Sequence, residues 1–316
     1  MRKPFGSLAM AAALAVAGSG IASASDYPTR TINWIVMWPA GGGTDSVSRI
    51  MAQYMERELG QRIVIQNIVG GGGSIGYTAA KAARPDGYTL VTIQSDLSKF
   101  APMELADIAI TDFEIIGAAS VQAPILVTRG DSPFESLDDL LSAARDNPNT
   151  ITVGVSDIGG VHHQPVVLLD DAAGTQVRAV AHEGSPQMAA GLLGGHVDAI
   201  SSWVKQNASY VQGGQMRFLA YFGGERLSEF PDVPTVTELG YDVVWESPYG
   251  IGVPAGTPDA VVNRLAEALA AIWENEDFIA ELVDLGHVPV QWDGEYYREY
   301  LERIEQDIAN VMRILN

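Results

Sequence analysis

The 316-residue chain carries 39 acidic against 19 basic side chains, a formal net charge of −20, and no cysteine. That balance excludes a nucleic-acid partner, which needs clustered Lys and Arg, and the missing thiols exclude disulfides and thiolate metal sites. Beyond the N-terminal segment no run approaches 18 apolar residues, so no membrane span is expected, and the length leaves room for two domains.

Arg2 and Lys3, the apolar run Leu8–Ala17 and the sequence Ala22-Ser23-Ala24 follow the order of a basic start, a hydrophobic stretch and a small-residue cleavage site. Residues 1–24 therefore read as a Sec-type secretory signal peptide. Next comes a β-rich run, Thr31–Met37, leading into Trp38-Pro39-Ala40-Gly41-Gly42-Gly43-Thr44-Asp45. Val47, Ile50, Met51, Tyr54 and Met55 then recur at helical spacing, and Gly60 stops that helix. Three glycines thus stand between a strand end and a helix N-terminus, where unpaired N–H groups and the helix dipole suit an anion.

The device repeats. Arg62–Asn67 reads as a strand, Gly70–Gly73 as a second glycine turn, Ser74 as a helix cap, Ile75–Arg84 as a short helix and Tyr88–Gln94 as a third strand. Two such loops at one sheet edge read as two jaws on one anion. Neither contains Lys or Arg, so the grip is expected to come from backbone N–H groups, helix ends and the hydroxyls of Thr44 and Ser74. Trp38, at the strand end, is expected to form a cleft wall.

Apolar runs at Phe113–Ala118 and Ala123–Thr128 precede a helix through Leu137, Leu140, Leu141 and Ala144. A strand at Thr150–Val155 opens into Ser156-Asp157-Ile158-Gly159-Gly160-Val161-His162-His163, and a strand at Gln176–Ala181 leads to His182-Glu183-Gly184-Ser185-Pro186. A helix through Met188–Leu193 and strands at Val197–Ser201 and Phe218–Tyr221 complete an alternating pattern that predicts a largely parallel sheet. Ser247–Val253 reads as a further strand, and Thr257-Pro258 as the capped start of a helix with Val261, Leu265, Leu269 and Ile272 inward. The last helix places Tyr297, Tyr300, Leu301, Ile304, Ile308, Val311 and Leu315 on one face.

Three other chemistries are raised by the same residues. Gly71-x-Gly73-x-x-Gly76 with Asp96 beyond it has the form of a dinucleotide fingerprint, but follows the second strand rather than the first. Gly72-x-Ser74-x-Gly76 with a late His287 has the form of a hydrolase nucleophile elbow, but too few strands precede it and no HGGG-type loop does. His162, His163, His182 and His196 lie close in sequence, yet no H-x-x-x-H pair occurs, so neither a metal nor another cofactor is expected.

The first loop, the segment Asn67–Gly76, Pro85-Asp86-Gly87-Tyr88-Thr89-Leu90, Pro231-Asp232-Val233-Pro234-Thr235-Val236 and Val253-Pro254-Ala255-Gly256-Thr257-Pro258 occur in an order that resembles the Bug family, the extracytoplasmic receptors of tripartite tricarboxylate transporters. The resemblance covers essentially the whole mature chain. It implies an α/β type II periplasmic-binding-protein fold, a non-enzymatic role in the periplasm, a small carboxylate as ligand and membrane permease subunits as partners; the chain is expected to work as a monomer. Two lobes are expected, residues 26–125 plus 250–316 and residues 126–249, crossed near Gln122–Thr128 and Pro248–Val253. In the first lobe Gly42, Gly43, Thr44 and Asp45 and then Gly72, Gly73 and Ser74 would grip the carboxylate, with Trp38 and Asp96 beside them. In the second, Ser156, Gly160, His162 and His163 match the family's selecting loop, with His162 as a cleft donor and His163 structural. His182-Glu183 stands where the family commonly has Tyr and a basic residue, and Ser202 where Asp is frequent.

Overall fold

The computed structural model describes residues 27–182 and 184–315; residues 1–26, on which the signal-peptide reading falls, Glu183 and Asn316 lie outside the described residues. Two sheets carry the fold. In the first, β1 (Ile32–Val36) lies between β2 (Ile63–Asn67) and β3 (Thr89–Ile93), both parallel to it. β10 (Ser247–Pro254) adds antiparallel to β3, then β4 (Phe113–Gln122) and β11 (Val288–Asp293) add antiparallel in turn. In the second sheet β6 (Thr152–Val155) lies parallel between β7 (Arg178–Ala181) and β8 (Ala199–Trp203). β5 (Pro124–Arg129) runs antiparallel to both β8 and β9 (Met216–Tyr221).

Each sheet is therefore mixed, not largely parallel as the alternating pattern predicted. A parallel pair needs a crossover helix, whereas β4 passes directly into β5 through Ala123 and β10 returns from the other sheet, so both enter reversed. The second passage lies just ahead of Pro248: Trp245 N–H bonds Phe222 O, and Ser247 already sits opposite Gln122 in the first sheet.

Helix α1 (Gly43–Leu59) follows β1, and buries Val47, Met51 and Met55 against Trp34, Leu265 and Leu269. It ends at Gly60, whose φ of 66° and N–H bond to Glu56 O give it the left-handed cap that glycine adopts without strain. α2 (Ser74–Lys81) starts at Ser74 itself, with Gly73 ahead of it and no side-chain cap, which corrects the capping role expected of Ser74. The second lobe holds α3 (Leu137–Asp146), α4 (Gln164–Ala173), α5 (Ser185–Leu193) and α6 (Val204–Gln212). α7 (Asp259–Trp273) is preceded by Pro258, and Thr257 bonds back to Pro254 O rather than capping the helix. α8 (Glu276–Asp284) and α9 (Gly294–Leu315) complete the chain.

α9 ties the two cores together. Tyr297 and Leu301 pack with Ile35, Ile93 and Phe100, while Tyr300, Ile304 and Ile308 pack with Val153, Val155 and Trp245 of the second core. Among the described residues no helix is long and apolar enough to cross a membrane.

Candidate functional site

The first glycine loop is held from behind. Gly41, at φ 79°, donates its N–H to Asp45 Oδ2 at 2.9 Å, and the same carboxylate takes Arg49 at 2.8 and 2.9 Å and Asn67 Nδ2 at 2.9 Å. Burial would raise the Asp45 pKa, but those hydrogen bonds outweigh it and hold the carboxyl below its usual range. Asp45 is thus committed to the loop and does not line the cleft. Ser46 N–H makes the first helical bond, to Gly42 O, so the N–H groups of Gly43, Thr44 and Asp45 stand ahead of the helical ladder. Gly42 has an ordinary φ of −77°, and a Cβ built on Gly43 would meet nothing within 4 Å. Neither backbone conformation nor crowding by the protein demands glycine at position 43; the open space above the helix N-terminus is what glycine preserves there.

Trp38 Nε1 donates to Gln94 Oε1 at 2.8 Å and Thr44 Oγ1 to the same oxygen at 3.3 Å. Because an indole N–H can only donate, the atom it meets is the amide oxygen, which leaves the Gln94 nitrogen as the remaining donor. Gln94 was missed in the sequence; its signal was a single amide closing the apolar strand Thr89–Ile93.

Between the lobes lies a cleft of about 670 Å³. The first lobe contributes Trp38, Gly42, Gly43, Thr44, Gln94 and Asp96. The second contributes Ser156, Asp157, His162, Ser185 and Trp203, and Tyr249 of β10 closes the wall. Of the expected site residues, Trp38, Gly42, Gly43, Thr44, Asp96, Ser156 and His162 meet here.

The second glycine loop does not line this cavity. Gly70, Gly71, Gly72 and Gly73 all have positive φ, between 59° and 130°, so the turn itself requires four glycines. Ser74 Oγ would lie 2.2 Å from a Cβ on Gly71, which seats it inside the turn. A Cβ on Gly72 would lie 3.4 Å from Lys99 Nζ. Lys99, in the turn Ser95–Lys99 after β3, was also missed. Its side chain is 2% exposed and reaches Asp96 Oδ1 at 3.4 Å and, across the lobes, Asp157 Oδ2 at 2.9 Å. Burial opposes its charge, but the two carboxylates overcome this and raise its pKa. Asp96 is pushed up by burial, against the attraction of Lys99. The spacing of Lys99 three residues after Asp96 was visible; its burial was not.

The loop after β6 is ordered by its own side chains. Ser156 Oγ donates to Asp157 Oδ1 at 2.9 Å, and His162 Nδ1 lies 2.8 Å from Ser156 Oγ. A Cβ on Gly160 would sit 2.0 Å from Asp157 Oδ1, so Gly160 makes room for that carboxylate rather than facing the cleft. His163 Nδ1 accepts Gly159 N–H at 2.9 Å and lies outside the cleft lining, on a separate apolar cavity beside Trp245. His182 Nδ1 donates to Val180 O at 2.9 Å, and its ring lies close to Gly154 and Gly191. Ser202 is fully buried and accepts Asn207 Nδ2 at 3.0 Å. None of Gly160, His163, His182 and Ser202 lines the cleft.

His162 differs in role from the donor expected of it. A serine hydroxyl has one proton, and here it goes to the Lys99-paired carboxylate, so Ser156 must accept from His162 Nδ1–H. Burial lowers the His162 pKa to about 4, so the ring is neutral at pH 7 and Nε2 carries a lone pair. Its ring meets the Trp203 ring edge-on at 4.5 Å.

The rival chemistries find no assembled site among the described residues. His287 lies 3.2 Å from Ser120 and packs on Tyr249, and burial holds its pKa down at about 3. Among the described residues no group of three His, Asp or Glu is placed to hold a metal.

Residues 47–315 match the family model described as the tripartite tricarboxylate transporter family receptor. An Agrobacterium vitis UPF0065 protein from the TAR-I ttuE–ttuC' intergenic region is 31% identical, with 94% of this chain and 87% of that protein covered. BugT of Bordetella pertussis is 28% identical, with 94% of each covered. Among solved structures, a TctC solute-binding protein from Polaromonas is 28% identical at a TM-score of 0.77, covering 91% of this chain and 99% of that one. MatC from Rhodopseudomonas palustris, solved with bound malate, is 25% identical at a TM-score of 0.77, covering 90% and 99%. R. palustris Rpa4515, solved with adipate, is 25% identical at 0.80, covering 91% and 98%. The chain therefore belongs to the tripartite tricarboxylate transporter receptor family, periplasmic solute-binding proteins and not enzymes.

Proposed function

We propose that the protein captures one small carboxylate between its lobes and delivers it, as a monomer exported through its N-terminal signal, to the membrane subunits of a tripartite transporter. The observation that carries this reading is Gly43, a glycine at a helix N-terminus whose missing side chain leaves open space in the cleft. Backbone N–H groups ahead of the helical ladder, the Thr44 hydroxyl and the Gln94 amide offer uncharged donors there, and hydrogen bonds to a charged group contribute about 1.5–3 kcal/mol each. The malate on MatC and the adipate on Rpa4515 support a carboxylate. The lobes would be residues 26–125 plus 250–316 and residues 126–249, with α9 bridging both cores.

Calorimetry and thermal-shift measurements against mono-, di- and tricarboxylates test the reading. A ligand at a hundredfold excess over its Kd is expected to add about 2.7 kcal/mol of apparent stability. Tight nicotinamide binding, or ester turnover abolished by Ser74→Ala, would overturn it.

A further inference from the structure

We infer that the second lobe selects a carboxylate bearing a hydroxyl group, whose proton is accepted by His162 Nε2. The inference rests on the cleft being a carboxylate site and adds the chemistry of the ligand's other end.

From Lys99 a series of hydrogen bonds runs in one direction to His162. Lys99 Nζ donates to Asp157 Oδ2 at 2.9 Å, so that oxygen accepts from the cation. Asp157 Oδ1 takes the one proton of Ser156 Oγ at 2.9 Å. Ser156 Oγ, its proton spent, can only accept from His162 Nδ1 at 2.8 Å. Each link determines the next, so the imidazole is held as the Nδ1–H tautomer and Nε2 is an acceptor. Gly160 preserves the starting point, since a Cβ there would displace the Asp157 carboxylate.

His162 is 3% exposed and lines the cleft, and its Nε2 has no hydrogen-bond partner. Among the described residues it is the one buried, unpartnered polar side-chain atom that belongs to a cleft-lining residue. A buried acceptor left unpaired is costly, and a site built around one discriminates strongly against ligands that cannot donate to it. An ionised second carboxylate offers only lone pairs and is repelled. The Trp203 ring packs edge-on against the imidazole, and a neutral O–H enters such a buried site at less cost than an ammonium that would have to shed its water.

The test uses butyrate, its 2-, 3- and 4-hydroxy derivatives, the matching amino derivatives and the matching methoxy derivatives, which keep the oxygen but lose the donor. Calorimetry on the full mature protein should find one hydroxy isomer bound at least about tenfold more tightly than butyrate and its own methoxy analogue. In His162→Phe that advantage, read as the ratio of hydroxy to methoxy affinity within the variant, should shrink below about twofold. Nitrogen-15 NMR should find Nδ1 protonated and Nε2 bare in the wild type. Ser156→Ala, which spares the ring, should release the tautomer and reduce the preference, and it stands in should the His162 variant fail to fold. A protonated Nε2, equal affinity for hydroxy and methoxy analogues, a stronger amino derivative, or a preference surviving in His162→Phe would each overturn the inference. If carboxylates bind without any such discrimination, this inference alone falls; if no carboxylate binds at all, the receptor reading falls with it.

Discussion

At Gly41–Gly43 and at Gly70–Gly73 the chain makes the same move, from a strand through consecutive glycines into a helix, yet the residues are glycine for different reasons. In the second loop every φ is positive, and added Cβ atoms on Gly70 and Gly71 would run into Ile75 and Ser74. In the first only Gly41 is left-handed, and Gly43 has neither a strained backbone nor a neighbour to avoid. Glycine enforced by φ is an internal necessity of the turn, whereas glycine with ordinary φ and empty space above it marks where something else must approach. The second loop instead covers a buried charge cluster, one lysine between two carboxylates, that joins the lobes.

The largest expected effect breaks that cluster. Lys99→Met leaves Asp96 buried without its cation and is expected to cost about 3 kcal/mol in denaturant unfolding, with Asp157, one-third exposed, contributing less. Asp96→Asn in that background should recover part of the loss; no loss in the single variant would show the cluster to be dispensable.

Acid comes next, and separates the cleft from the core. His162 and His287 are lowered by burial to about 4 and about 3 from an ordinary 6.5, so below 6.5 the unfolded chain binds more protons than the folded one. Their stability contribution is complete above that value and is lost as pH falls, by about 2 kcal/mol each at pH 5. Asp96, raised by burial, acts with the opposite sign over part of the same window and reduces the total. His163 is lowered by burial too and adds to the same slope, so His287→Phe should remove a part of the histidine contribution, read as the slope of melting temperature against pH, while leaving carboxylate binding intact.

Gly43→Val should weaken every carboxylate by about a hundredfold or more, the loss of one or two hydrogen bonds to a charged group, with the melting temperature little changed. Unchanged affinity would place the ligand elsewhere. Gly70→Ala should do the reverse. Its φ of 130° and a Cβ contact of 2.6 Å with Ile75 predict a stability loss of about 2 kcal/mol with affinity altered less than about threefold. A binding loss as large as that of Gly43→Val would bring the second loop into the ligand's grip.

What the sequence determined by itself was local. Helix α1 and its glycine stop, the strands on either side of both glycine loops and the helix through Leu137, Leu140, Leu141 and Ala144 were all legible, because periodicity, caps and turn residues act within a few positions along the chain. Elements with little burial to pattern them were not: β11 has no fully buried residue, and α6 buries only Val204 and Asn207. The direction of β4, β10 and β11 was hidden as well, since strand sense depends on where the chain goes between strands. The site divides in the same way. Trp38, Gly43, Thr44 and Ser156 could be named from loop position, but Gln94, Lys99 and Asp157 matter only because folding brings them against residues far away in sequence. His162 shows the limit most clearly. Its place in the cleft was readable from the loop, but the tautomer of its ring follows from the order of hydrogen bonds through Ser156 and Asp157, a chain that ends on a lysine 58 residues from Asp157 and held in the other lobe.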